Sequence, residues 1–177
     1  DKNLIKNHFN CHHIIVENWD ELESEKGVIF VSIPTLLDPS LAPEGKHIIH
    51  AFTPSSIDEW EGLSRKEYLQ KKEEYFSFLV EKISHLLPNL YQNIDHKEIG
   101  TPKTHRKFLG RYDGTYGPIP NQKLLGLLPM PFNTTKIKNL YCVGDSCFPG
   151  QGLNAVAFSG YACAHKICLL YTSDAAD

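Results

Sequence analysis

LYCVGDSCFPGQGLNA, residues 140–155, is the part of the chain in which strand, loop and helix signals follow one another most closely. It opens with four apolar residues, 140–143, which are typical of a short buried strand. Gly144 and Asp145 come next, followed by a loop rich in Gly and Pro. Small residues with helical spacing then predict a helix over 153–167.

This order of elements places polar groups around one ligand. Ligands bind at the carboxyl ends of strands in open α/β sheets, so Asp145 is positioned to accept hydrogen bonds from sugar-alcohol hydroxyls, and Gly144 leaves room for close backbone approach. The first N–H groups of the helix are unpaired and carry the positive end of its dipole. They can seat a phosphate or the electron-rich edge of a reduced flavin. The candidate cofactor-binding residues are Gly144, Asp145, Gly150, Gln151, Gly152, Leu153 and Asn154.

Residues 150–155 also spell G-x-G-x-x-A, the dinucleotide fingerprint. That fingerprint follows its strand directly, lies in a βαβ unit and has an acidic residue about 20 positions further on. Here a loop containing Pro149 intervenes, and the candidate acid is Asp174. We therefore do not expect residues 139–167 to form a complete dinucleotide-binding domain.

The preceding part of the chain, 1–138, is predicted to be α+β, so that the chain as a whole belongs to the α/β class. Its β-branched and apolar runs predict strands close enough together to form an antiparallel meander. These predicted strands cover residues 11–18, 27–37 and 46–53.

Helix signals follow the meander. Ser64 and Glu67 form a predicted capping box that opens an amphipathic helix ended by Pro88. A further short strand is predicted over 94–99 and a helix over 101–109. The Gly-, Pro- and Asn-rich segment 111–139 is too long for a plain connector and is predicted to be a lid-like loop.

Composition excludes several classes of function. A net charge of −3 in 177 residues without a basic run argues against nucleic-acid binding. The five cysteines are odd in number and lack zinc-finger spacing, so we expect reduced thiols. The run Cys11-His12-His13 does not predict a metal site, because adjacent strand residues point to opposite faces, and we expect no metal.

The two ends of the chain are unusual. Residues 168–177 resemble the translation of a sequencing-library adaptor and are left out of the fold prediction. The chain begins with Asp1 and not with Met. We therefore expect an N-terminal half to be missing, either from the record or from the protein.

Motifs along nearly all of residues 11–167 resemble the carotenoid isomerases of the FAD-dependent phytoene desaturase/carotenoid isomerase family. The motif at 141–152 resembles the C-terminal flavin motif of these enzymes. The other motifs that carry the resemblance are 32–35, 40–43, 58–63, 100–102, 104–106, 114–118, 130–135, 155–160 and 163–165.

The resemblance implies a two-domain FAD enzyme of which this chain is a C-terminal fragment. Residues 1–138 would be the remainder of the substrate domain, and residues 139–167 the last strand, loop and helix of the FAD-binding domain. Asp145 would hold the ribityl chain, and Gly152 and Asn154 would lie beside the isoalloxazine. The residues implied to line the flavin–substrate boundary are Thr115, Tyr116 and Gly117. His105 and Arg106 would contact substrate or flavin, although an ion pair is an equal alternative. No side chain identifies itself as a catalytic acid or base.

The implied reaction is the cis–trans isomerisation of poly-cis-lycopene by reduced FAD without net redox change. The implied location is the plastid, or the cytoplasm or thylakoid of a cyanobacterium, with peripheral membrane association. Two alternatives remain open. One is a flavin-dependent carotenoid or retinoid desaturase or saturase of the same superfamily, and the other is a non-catalytic carotenoid- or lipid-binding fragment.

Overall fold

The structure, a computed structural model, describes residues 5, 9–22, 24–115 and 130–174. It divides into two compact units, Asp1–Gly114 and Thr115–Asp177. Among the described residues, helices and a small antiparallel sheet make up the regular structure. This agrees with the predicted α/β class at the level of its elements.

The first unit contains the predicted three-stranded meander. Its strands are β1 (His12–Val16), β2 (Val28–Ser32) and β3 (His50–Phe52), in the order β1-β2-β3 with both pairs antiparallel. The strands are shorter than predicted. β2 ends at Ser32 because Pro34 begins a short 3-10 turn, and proline has no N–H to donate to a ladder.

One face of the sheet packs against the first long helix, α1 (Arg65–Ser84). The strand side contributes Ile29 and Val31, both buried, and the helix side contributes Val80 and Ile83. The alternation of side chains along β2 places Ile29 and Val31 on the same face. The core of this unit therefore lies between the sheet and α1.

The capping box predicted at the start of α1 is confirmed. The Ser64 hydroxyl accepts from the Glu67 N–H at 3.3 Å, and the Glu67 carboxylate accepts from the Ser64 N–H at 2.8 Å. The bonds from Ser64 lower the pKa of Glu67. The helix ends at Ser84, earlier than predicted, because the residue before Pro88 is disfavoured in the helical conformation. The intervening residues instead form a tight turn, with the Leu87 N–H donating to the Ile83 carbonyl.

Trp60 packs in the core of the first unit. Its side chain is 2% exposed, and its indole N–H donates to Ser55 Oγ at 2.8 Å. The ring meets Tyr68 edge-on at 5.6 Å and Tyr75 at 5.2 Å. Trp19, in contrast, is 76% exposed.

The predicted helix at 101–109 is confirmed as α2 (Pro102–Leu109), with Thr101 as its N-cap. The strand predicted over 94–99 is wrong, because these residues form no ladder with any other described segment. A strand needs a hydrogen-bonding neighbour, and the sheet ends at β3. Within the described residues, no helix is both long and apolar enough to cross a bilayer.

The second unit is built around the long helix α3 (Leu153–Asp174). It begins at the predicted residue and extends seven residues beyond the predicted end at Ile167. The buried strand predicted over 140–143 is wrong. The described residues supply it with a single bridge, between Thr134 and Tyr141, and leave Leu140 and Val143 about half exposed.

We predict that Trp60→Ala lowers the free energy of unfolding by about 3–5 kcal/mol, because it leaves a cavity in the core and removes the hydrogen bond from the indole N–H to Ser55 Oγ. Far-UV circular dichroism during urea unfolding measures the loss. Trp19→Ala is the matched control and should change the free energy by about 0.5 kcal/mol or less. Equal effects of the two substitutions would contradict the core position of Trp60.

Candidate functional site

A tight turn over residues 144–147 positions Asp145, the only acidic residue of the loop 144–152 that leads into α3. The Cys147 N–H donates to the Gly144 carbonyl at 3.3 Å. Gly144 has φ +107°, a conformation that strains any residue with a Cβ. Asp145, which follows it, is half-buried, and its carboxylate lies 3.4 Å from Ser146 Oγ. The predicted Gly-Asp corner is therefore a defined turn with a carboxylate at its apex.

Two further glycines shape the loop for different reasons. Gly150 and Gly152 both have positive φ, +113° and +101°. A Cβ on Gly150 would lie 3.0 Å from Met130 Sδ, so close packing also restricts this position. A Cβ on Gly144 or Gly152 would meet nothing within 4 Å. The backbone at Gly144 and Gly152 thus borders open space in which a ligand can approach it.

The start of α3 supplies hydrogen-bond donors beside this space. The first bond within the helix runs from the Val156 N–H to the Gly152 carbonyl at 3.0 Å. The amides that precede Val156 in the helix therefore have no acceptor within it. Gln151, Leu153 and Asn154 are exposed. These amides and the positive helix end form the donor half of the site.

These groups fit a flavin cofactor. A carboxylate accepts hydrogen bonds from sugar-alcohol hydroxyls, and amides at a helix N-terminus favour an electron-rich ring edge or a phosphate. The open space beside Gly144 and Gly152 leaves the backbone accessible to such a group. The seven predicted cofactor-binding residues all belong to this one loop and helix start.

Asn133 holds the loop in place. Its carboxamide nitrogen lies 2.9 Å from the Cys142 carbonyl and 3.0 Å from Ser159 Oγ, so it joins the loop to α3. The backbone carbonyl of Asn133 accepts a hydrogen bond from the Cys142 N–H at 2.9 Å. Ser159 is fully buried, and its Oγ also accepts from the Gly144 N–H at 3.3 Å. The network therefore fixes the chain from Cys142 to Gly144, the segment that enters the Gly-Asp turn.

Sequence reasoning missed the positioning roles of Asn133 and Ser159. Residues 130–135 are part of the family resemblance, but nothing in that motif indicates which backbone groups Asn133 contacts. Ser159 is one of several small residues on α3 and carries no separate signal. The partners of both side chains are distant in sequence, 26 residues apart in the case of Asn133 and Ser159.

Three cysteines surround the turn. Cys147 is completely buried, and burial, together with a hydrogen bond to the Cys142 thiol, raises its pKa to about 11. Cys163 on α3 is buried as well, whereas Cys142 is exposed. At neutral pH Cys147 therefore keeps its proton.

The remaining predicted site residues, which the family resemblance alone implied, lie outside the Gly-Asp loop. His105 and Arg106 lie on α2 in the first unit, and the Arg106 guanidinium pairs with Glu61 at 2.7 Å. The side chains of Arg106 and Glu61 are both about half exposed. Of the two alternatives predicted for Arg106, the structure shows the ion pair. Thr115 is described, and Tyr116 and Gly117 lie outside the described residues. Among the described residues, no three His, Cys, Asp or Glu side chains converge as metal ligands would.

Comparison with known proteins identifies close relatives. The chain is 61% identical over 160 residues to prolycopene isomerase 2, chloroplastic, of an Oncidium hybrid cultivar, and covers 27% of that protein. It is 58% identical over 160 residues to the chloroplastic prolycopene isomerase of Arabidopsis thaliana, again covering 27%. In both cases the match includes 89% of this chain.

More distant similarity extends to a desaturase. The chain is 22% identical over 162 residues to the phytoene desaturase of Phycomyces blakesleeanus, a match that includes 86% of this chain and 28% of the desaturase. No protein-family profile matches the chain. The chain is homologous to prolycopene isomerases over most of its own length, and it spans about a quarter of the length of the curated relatives it matches.

We predict that Asn133→Ala accelerates backbone hydrogen exchange in residues 142–147 about tenfold, because the loop loses the bonds that tie it to α3. Hydrogen–deuterium exchange followed by mass spectrometry measures the change. Asn10→Ala, at an exposed position of the first unit, is the matched control and should leave these rates unchanged. Unaltered exchange in Asn133→Ala would contradict the positioning role.

We also predict that Cys147 resists alkylation at pH 8. With a pKa of about 11, roughly one thiol in a thousand is ionised at that pH, against about one in ten for a thiol at the usual value of 9.0. Labelling with iodoacetamide and peptide mass mapping should modify Cys142 first. The labelling rate of Cys147 should rise steeply as the pH approaches 11, and equal rates at pH 8 would refute the burial argument.

Proposed function

We propose that this chain forms part of an FAD-dependent isomerase that converts poly-cis-lycopene towards all-trans-lycopene. The identity of 58–61% to prolycopene isomerases over 89% of the chain carries the reaction class. The Asp145 turn and the start of α3 support the cofactor, because their acceptor and donor groups match its sugar-like chain and its electron-rich ring. Identity to the phytoene desaturase is much lower, at 22%, which favours isomerisation over desaturation.

Within this proposal, residues 1–138 are the remainder of a substrate domain and residues 139–167 are the last strand, loop and helix of an FAD-binding domain. Residues 168–177 are assigned to the adaptor sequence. The structure divides after Gly114, inside the segment 111–139 and upstream of this proposed boundary.

Individual residues are assigned roles in holding FAD. The Asp145 carboxylate accepts hydrogen bonds from ribityl hydroxyls, and Gly144 leaves its backbone accessible to them. Gly150, Gln151 and Gly152 lead the chain to the start of α3, where amides of Leu153 and Asn154 face the ring edge. The positive end of the helix dipole stabilises negative charge on that edge.

The chemistry that the cofactor supplies when it is bound and reduced is transient electron or proton donation, which lowers the order of a conjugated C=C bond so that it can rotate without net redox change. The chain's own groups orient the ring and retain it through the reaction. Thr115, Tyr116 and Gly117 are proposed to line the boundary between flavin and substrate, and His105 is proposed to contact substrate or flavin.

We place the protein in the plastid, because the relatives are named as chloroplastic proteins. Carotenoids partition into lipid, so a peripheral contact with the plastid membrane would deliver the substrate.

A chimera tests the proposed function. The homologous stretch of the Arabidopsis isomerase is replaced by residues 11–167 of this chain, and the product is expressed in bacteria that accumulate poly-cis-lycopene. We expect all-trans-lycopene of unchanged mass. A product two hydrogens lighter would establish a desaturase, and retention of pigment without FAD or conversion would establish a binding module. The unmodified isomerase is the positive control.

We predict that Asp145→Asn in this chimera weakens FAD retention about tenfold, because the amide accepts hydrogen bonds less strongly than the carboxylate. Flavin fluorescence after gel filtration measures the retained cofactor. Asp20→Asn, in an exposed turn of the first unit, is the control and should retain FAD fully. Full retention by Asp145→Asn would exclude Asp145 from the cofactor site.

A further inference from the structure

We propose that the C-terminal half of α2 and the turn after it bind the surface of a bilayer that contains anionic lipids. This surface, the α2 patch, consists of Arg106, Lys107, Phe108, Leu109 and Tyr112, all within the first unit. The binding to lipid does not depend on the proposed function. The use of the patch to collect a carotenoid substrate does rest on that function.

The apolar part of the α2 patch projects into solvent. Phe108 is 72% exposed, Leu109 63% and Tyr112 86%. The first two end α2, and Tyr112 begins the short 3-10 turn that follows. Single exposed apolar residues are normal on a protein surface, but a cluster of large ones marks a site of contact with an apolar partner.

Basic residues accompany these apolar side chains. The segment 99–112 contains four Lys or Arg residues and no Asp or Glu, in a chain whose net charge is −3. Lys103, Arg106 and Lys107 are three or four positions apart and therefore share one side of α2. The Lys107 ammonium also lies 5.1 Å from the centre of the Phe108 ring. A short helix with cations on one side and exposed apolar residues on the other resembles helices that lie on membrane surfaces.

Two acidic residues near the patch leave its charge positive. Glu61 pairs with Arg106 at 2.7 Å, and the exposed Asp113 follows Tyr112 along the chain. The four basic residues of the segment outnumber these two carboxylates. Because each basic residue near an anionic membrane strengthens binding about fivefold, the excess positive charge favours such a surface.

The helix is held by the core at its N-terminal end. The buried Thr101 hydroxyl lies 2.8 Å from the Tyr68 hydroxyl, and the Lys103 ammonium donates to the Trp60 carbonyl at 3.0 Å. Every residue from 106 to 110 is exposed. The C-terminal half of α2 can therefore meet a flat surface while its first turn stays attached to the unit.

A bilayer uses both halves of the patch, whereas other partners use one. A nucleic acid would pair with the cations and leave Phe108 and Leu109 in water. A purely apolar protein surface would cover those two side chains and leave the cations without opposite charge. Anionic headgroups attract the cations, and the apolar side chains enter the boundary between headgroups and acyl chains. The ring of Tyr112 with its polar tip also suits this boundary.

Docking in this way has a consequence for the proposed function. His105 comes three and four positions before Phe108 and Leu109, so the three side chains share one side of α2. Carotenoids dissolve in the apolar part of a bilayer. Binding through the α2 patch would therefore bring substrate close to His105, which is proposed to contact substrate or flavin.

Lipid binding is measured by co-sedimentation of vesicles with the chimera that carries residues 11–167 of this chain. One set of vesicles contains phosphatidylcholine and phosphatidylglycerol at about two to one, and the other contains phosphatidylcholine alone. We expect about tenfold tighter binding to the anionic set. Added salt should weaken this preference, because it screens the charges.

The apolar contribution is tested by a double variant, Phe108→Ala with Leu109→Ala. We expect affinity for the anionic vesicles to fall about tenfold, because two side chains no longer leave water. The matched control is Trp19→Ala with Leu37→Ala, which removes an exposed aromatic residue and an exposed leucine elsewhere in the first unit. The control should bind as the unchanged chimera does.

The contribution of charge is tested by Lys107→Gln, which should lower affinity for the anionic vesicles about fivefold. Lys66→Gln removes an exposed lysine from α1 and should leave affinity unchanged. Hydrogen–deuterium exchange locates the contact directly. Exchange in residues 106–112 should slow about fivefold when anionic vesicles are added.

Several outcomes would overturn the proposal. These are equal binding to the two sets of vesicles, equal effects of the two double variants, or exchange in residues 106–112 that vesicles do not change. Exchange there that is already slow without lipid would show that the rest of the polypeptide covers the patch. A dimer that dissociates in Phe108→Ala with Leu109→Ala would show that a second copy covers it.

Conversion of poly-cis-lycopene separates this proposal from the proposed function. The variant Phe108→Ala with Leu109→Ala should convert substrate supplied in vesicles about tenfold more slowly, and substrate supplied in detergent at the unchanged rate. Equal rates from vesicles in variant and unchanged chimera would overturn the role of the patch in collecting substrate. A chimera that binds anionic vesicles through the patch but converts no substrate in either form would instead contradict the proposed function.

Discussion

The geometry of the candidate site depends on hydrogen bonds from two side chains to the backbone of a loop that has no sheet ladder. Within the part of the chain that the structure describes, residues 140–147 have one bridge to a neighbouring segment, so a ladder there does not satisfy their N–H and C=O groups. The Asn133 carboxamide and the buried Ser159 hydroxyl take over that role. Because a buried polar group without a partner is costly, these two side chains fix the path of the loop. The path of the loop in turn sets the positions of Asp145 and of the start of α3.

The glycines of the loop satisfy two separate requirements. Gly144 and Gly152 adopt positive φ next to open space, whereas Gly150 adopts positive φ and also packs against Met130. The first requirement keeps the backbone accessible to a ligand, and the second keeps the loop close to the rest of its unit. Positive φ by itself accounts for glycine at all three positions. The open space beside Gly144 and Gly152 is what the proposed approach of a ligand would use.

The buried thiol beside the turn contributes to packing. Cys147 is completely buried, and burial raises the pKa of its thiol to about 11. At neutral pH this side chain is therefore a protonated, packed group of the second unit.

The parts of the structure that depend on neighbours in sequence could be predicted from the residues. The Ser64–Glu67 capping box, the proline at the start of α2 and the first residue of α3 are local signals, since caps and first turns involve residues within four positions of each other. The antiparallel meander was also predictable, because its strands are close in sequence. The candidate cofactor-binding residues were also predicted from local signals, the order of strand, loop and helix along the chain. The structure brings them together at one loop. Their binding of FAD stays a prediction.

What the residues alone did not determine involves partners far apart in the chain. The apolar runs at 94–99 and 140–143 have strand-forming composition, yet a strand exists only where a neighbour supplies a ladder, and the described chain supplies none for the first and one bridge for the second. The same holds for the bond between Asn133 and Ser159 and for the burial of Cys147. Sequence therefore determined the helices, their caps and the order of the site residues. Tertiary packing decided which polar groups hold the loop and which thiols are buried, because burial and long-range hydrogen bonds are properties of the folded chain.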